Sequence, residues 1–97
     1  MKNTEAKILE KAKQVMADLD GKYYSESTIG KPFFREKEEV ADGQYADTWT
    51  VSVESLFDNL DFLTISDETG EPIYYQNFNM IISDIVKSAQ GKYILKR

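Results

Sequence analysis

Trp49, Val51 and Val53 alternate with Thr48, Thr50, Ser52 and Glu54 in a run that opens just past Asp42-Gly43, and this period of two constrains the fold more than any other feature. Such a strand lays one face on a core and leaves the other in water. Asp-Gly suits a tight turn with positive backbone angles, so Phe34 to Val40 is expected to pair with Gln44 to Leu56 as a hairpin. Phe57 to Asp61 then turns the chain, and Phe62 to Ser66 reads as the next strand. The segment Asp67 to Pro72 reads as a hairpin loop, with Gly70 at its left-handed position and Pro72 where the ladder needs no donor. Ile73 to Gln76 is the return strand.

Helical spacing flanks these strands. Ile8, Leu9, Ala12, Val15, Met16 and Leu19 fall on one face of a helix, capped by Asn3 or Thr4 and stopped by Gly21. Lys22 to Lys37 has no clear period and reads as a loop or an irregular edge strand. Phe78, Ile81, Ile82, Ile85, Val86 and Ala89 again follow helical spacing, with Asn77 or Asn79 as cap, Gly91 as stop, and Tyr93 to Leu95 as an apolar tail. The expected fold is therefore α+β, one domain over residues 1–97: an N-terminal helix, a three- to four-stranded antiparallel sheet and a C-terminal helix, both helices on one sheet face. Trp49, Val51, Val53, Leu63 and Ile65 should line the covered face against Leu9, Met16, Ile82 and Ile85.

A chain of 97 residues has room for one core, burying roughly 60 to 65% of the surface its unfolded form exposes. Its 41% hydrophobic, 12% aromatic and 30% charged residues exclude a disordered or collagen-like chain. No apolar run is long enough for a membrane helix, and the charges along Met1 to Gln14 do not fit a signal peptide, so a cytoplasmic location is expected. The chain contains no Cys and no His. That removes disulfides, thiolate nucleophiles, structural zinc and the usual general base near neutral pH, and most hydrolase templates with them. Chemistry would have to rest on carboxylates, Lys, Tyr or Ser, or on a hard metal held by oxygen.

Charge is unevenly spread. No Lys or Arg occurs between Glu38 and Val86, an interval that holds Glu38, Glu39, Asp42, Asp47, Glu54, Asp58, Asp61, Asp67, Glu68, Glu71 and Asp84. A net charge of −5 disfavours nucleic acid and anionic membranes as partners. Two readings fit the carboxylates: a solvated sheet face that keeps edge strands from pairing with other chains, or a docking surface for a basic protein.

Asp58, Asp61, Asp67, Glu68 and Glu71 flank two turns, as oxygen ligands of calcium would, but not at EF-hand spacing. Asp18, Asp20 and Gly21 begin like a calcium loop, yet the glycine comes too early and the closing Glu is missing, so ordinary helix-end chemistry accounts for them. No metal and no cofactor is expected. Neighbours in the doublets Phe33-Phe34 and Tyr74-Tyr75 point to opposite sheet faces. Exposed rings such as Tyr45 with Tyr74 would suit a protein partner or a homodimer.

Trp49-Thr50-Val51-Ser52-Val53, followed by the run Leu63-Thr64-Ile65-Ser66-Asp67-Glu68-Thr69-Gly70-Glu71, resembles small PepSY-type domains and related immunity proteins of bacterial toxin systems. The family pattern usually has an Asp four residues before the Gly, where this chain has Ser66. The resemblance implies a binding or inhibitory module without catalysis. The expected function is accordingly a non-catalytic module that binds a basic protein through Asp58, Asp61, Asp67, Glu68 and Glu71, with Tyr74 as an aromatic anchor. The alternative is a small-ligand binder or minor enzyme with a pocket between helix and sheet, using Tyr or Asp as acid and base.

Overall fold

The computed structural model describes residues 1–55 and 58–96. Helix α1, Glu5–Asp20, starts where Thr4 accepts a hydrogen bond from the Lys7 amide and ends at Gly21, whose φ is 57°. It buries Ile8, Ala12, Val15 and Met16, the stripe its spacing predicts. Two short 3-10 turns follow, Gly21–Tyr23 and Glu26–Thr28. Ile29 then forms an isolated bridge to Val53. Gly30 crosses β2 so closely that a Cβ there would stand 2.2 Å from Ser52 Oγ. A side chain there would force the Ser52 hydroxyl to turn away and crowd the Ser52 carbonyl at 3.3 Å.

Six strands complete the chain: β1 Phe33–Ala41, β2 Gln44–Glu54, β3 Leu60–Ser66, β4 Pro72–Gln76, β5 Ile82–Lys87 and β6 Tyr93–Leu95. Each pairs antiparallel with the next, giving one sheet in the order β1-β2-β3-β4-β5-β6. The predicted hairpin across Asp42-Gly43 is β1–β2, and the predicted end of its second strand at Leu56 and the turn start at Phe57 lie outside the described residues. Trp49 stands opposite Ile65 and Val51 opposite Leu63. These residues and Val53 are buried against α1 together with Ile85 and Tyr93. Burying each aliphatic side chain contributes about 1.5 to 3 kcal/mol. The alternate positions Thr48, Thr50, Ser52, Phe62, Thr64 and Tyr74 lie on the opposite, open face.

The structure corrects the expected fold class. There is one helix rather than two in the described residues, and the sheet has six strands rather than three or four. Residues 78–89, predicted as a C-terminal helix, form a turn, β5 and the start of the next turn. Asn77 does cap, but it caps a turn: its Oδ1 accepts from the amides of Asn79 at 2.9 Å and Ile81 at 3.0 Å. Met80, with φ 66°, then breaks any helical path. Beyond it the β-branched run Ile81, Ile82, Ile85 and Val86 favours an extended chain. Apolar positions 82, 85 and 86 satisfy helical spacing while belonging to two faces of a strand, with Ile85 buried and Ile82 and Val86 on the open face. Ile82 thus leaves the predicted core, where Met16 and Ile85 remain, and Leu9 is half-buried. Gly91, expected as a helix stop, sits at φ 79° in the β5–β6 turn, where its amide donates to the Ser88 carbonyl. No helix among the described residues is long and apolar enough to cross a membrane.

Candidate functional site

The six residues expected to contact a partner do not share one surface. Asp67 is 2% exposed and accepts hydrogen bonds from the amides of Lys2 and Asn3 and from Trp49 Nε1. Asp61 is 7% exposed and accepts from the Tyr75 hydroxyl at 2.5 Å, Ser55 Oγ at 3.1 Å and the Phe78 amide at 3.0 Å. Glu71 is ion-paired with Lys11 at 2.8 Å and Lys87 at 3.5 Å, and accepts from the Tyr93 hydroxyl. Asp58 and Glu68 are exposed, Glu68 reaching Lys2 at 3.8 Å. Tyr74 is half-buried on the open face, opposite Thr64.

One hollow, about 700 Å³, is an open trough along the solvent side of α1. Its charges answer each other, Lys13 meeting Glu26 at 2.8 Å. More selective is a cavity of about 410 Å³ between the last turn of α1 and strands β3, β4 and β6. Met16, Leu19 and Leu95 give it apolar walls, while Asp18, Asp20 and Asp61 line it with carboxylates and no Lys or Arg among the described residues does so. The last turn of α1 carries no basic residue, so these carboxylates meet the negative end of the helix dipole.

Each carboxylate is held differently. Asp18 accepts from the Tyr93 amide at 3.1 Å, which ties α1 to β6. Asp61 is fixed by its three donors. Asp20 has no hydrogen bond or ion pair among the described residues. Asp20 is exposed at the cavity mouth, where partial desolvation, and then the charge of Asp61, push its carboxyl above its ordinary value. The Tyr75 hydroxyl is pushed far up by burial first and then by its hydrogen bond to Asp61, so it stays protonated at neutral pH and its proton is committed to Asp61. Among the described residues no group of three or more acidic side chains is placed to hold a metal.

Asp18 and Asp20 were legible in the sequence only as helix-end residues. Their telling feature is the violation of dipole preference, two acids and no base in a last turn. The burial of Asp61 and Asp67 had a signal too. Both share the parity of Leu63 and Ile65, which places them on the covered face. No protein-family model, curated protein or solved structure matches the chain.

Proposed function

We propose that the protein is a non-catalytic binding module that captures a basic protein partner and takes one Lys or Arg side chain of it into the acidic cavity at the end of α1. The convergence of Asp18, Asp20 and Asp61 on one cavity, with no cationic side chain lining it among the described residues, carries this reading. The alkyl part of the guest packs on Met16, Leu19 and Leu95, and its charge meets Asp20, whose carboxylate has no partner among the described residues. The net charge of −5, with Asp58 and Glu68 exposed, steers a basic partner toward the molecule. The module then acts by occupying its partner's surface, and the PepSY-type resemblance likewise implies a binding or inhibitory module without catalysis.

The mix of apolar walls and convergent carboxylates in the cavity favours one second reading, a small amine bound in the same place. The Tyr75 hydroxyl gives its one proton to Asp61 and can offer such an amine only an acceptor lone pair. A pull-down followed by association kinetics at low and high salt tests the first reading. The association rate should fall as the Debye length shortens toward about 8 Å, and should fall again in Asp20→Asn. A rate indifferent to both changes overturns it.

A further inference from the structure

The open face of the sheet holds a second hollow, about 350 Å³, that shares no residue with the acidic cavity. Its floor is Thr48 and Thr50 of β2 and Thr64 of β3, short side chains set between longer ones on β1 and β4. Thr48 is 1% exposed and Thr64 6%. Neither hydroxyl has a hydrogen-bond partner among the described residues, yet no unpartnered side-chain oxygen there is sealed from solvent. Both oxygens therefore look out through the floor. Hydroxyls open to solvent and without protein partners keep their donors and acceptors available, so a ligand that displaces water from the trough can pair with them.

We propose that this trough binds an uncharged polyhydroxylated ring, a mono- or disaccharide. Arg35 and Glu38 both line it, and neither is ion-paired among the described residues, so the wall carries opposite charges that sum to zero. An anion gains nothing from a protein of net charge −5, and a cation is better served by the acidic cavity. Hydroxyls, a guanidinium and a carboxylate together offer donors and acceptors to a ring that presents both. Phe62 and Tyr74 line the same trough and supply apolar surface for the C–H faces of such a ring. An extended peptide fits less well. β2 and β3 are paired on both sides, so the floor has no backbone edge to offer its amides.

The test is a titration of isotopically labelled protein with a panel of neutral mono- and disaccharides, followed by amide chemical shifts. At least one sugar should give saturable shifts at Thr48, Thr50, Thr64 and Tyr74, with a dissociation constant of about 1 mM, the affinity ordinary for a ligand of that size. Thr48→Val keeps the side-chain shape and should weaken that sugar about tenfold, as should Thr64→Val. An otherwise unchanged spectrum shows that each variant is folded. Asp20→Asn should leave sugar binding intact. The proposal is overturned by the absence of saturable shifts at these residues with every sugar, by an affinity unmoved in both valine variants, or by shifts there that arise only with extended peptides.

Discussion

The indole nitrogen of Trp49 donates a buried 2.8 Å hydrogen bond to Oδ1 of Asp67, joining the centre of β2 to the residue just past the end of β3. The same carboxylate accepts from the amides of Lys2 at 2.6 Å and Asn3 at 3.0 Å, and so holds the entry to α1 against the sheet. Burial alone would raise the Asp67 carboxyl. The Trp49 bond, the two amides and the terminal ammonium more than reverse that and hold it below its ordinary value.

Trp49→Ala should cost about 3 to 5 kcal/mol, the range for removing a large buried aromatic. Trp49→Phe isolates the hydrogen bond from the packing. A denaturation cycle of Trp49→Phe with Asp67→Asn should give a coupling of about 1.5 to 3 kcal/mol, as for a hydrogen bond to a charged group. Additive effects would mean that the pair is incidental.

Acid should unfold the protein earlier than composition suggests. For Glu71, as for Asp67, burial opposes ionisation and the surrounding groups overcome it: the Lys11 and Tyr93 hydrogen bonds, then the charges of Lys11 and Lys87. A carboxyl depressed in the folded state contributes stability that is present above its unfolded value and lost as pH falls through its folded value. Unfolded Asp and Glu titrate near about 3.9 and 4.3, so stability should hold above about pH 5 and decline below about pH 4. Denaturant midpoints measured across that window should fall less steeply in Asp67→Asn than in the parent. Equal acid slopes in the two proteins would remove Asp67 from the account.

The parts legible in the sequence are those where one period serves one face. The spacing of α1, its Thr4 cap and Gly21 stop, and the Asp42-Gly43 hairpin all rest on local chemistry that tertiary contacts reinforce. β5 was illegible because Ile82, Ile85 and Val86 satisfy the helical rule and the strand rule alike, and only pairing with β4 and β6 decides between them. The burial of Asp61 and Asp67, two of the expected contact carboxylates, escaped the sequence for a related reason. A turn-flanking Asp reads as solvated unless the donors that bury it are known, and those of Asp67 come from residues far away along the chain.

Gly70 adopts φ 73° in the β3–β4 loop, with its amide donating to the Ser66 carbonyl at 2.9 Å. A Cβ there would meet the Asn3 side chain no closer than 3.5 Å, so the obstacle to substitution is backbone strain and not collision. Gly70→Ala should therefore cost about 1 to 2 kcal/mol, and Gly70→Val more, because its branched side chain tolerates this region least. Gly70→Asn should cost less than either. If chemical denaturation gives the valine variant parental stability, the left-handed position does not control this turn.

Asp20→Asn separates function from stability. A carboxyl raised in the folded state contributes stability that is fully present below its unfolded value and lost as pH rises through its folded value. Asp20 is raised by desolvation and by the charge of Asp61, so at neutral pH its ionised form works against the fold. Asparagine keeps the shape, removes the charge and relieves the crowding of carboxylates at the negative end of α1. The variant should have a higher denaturant midpoint than the parent at pH 7, with the difference shrinking in acid as the parent's own carboxyl takes up a proton. It should also bind a basic partner more weakly, because the cavity loses the one carboxylate in its lining that has no partner among the described residues. Gain of stability with loss of binding is the pattern expected of a residue kept for recognition. A variant that is less stable than the parent and binds as well would make Asp20 a structural residue and leave the cavity without its recognition group.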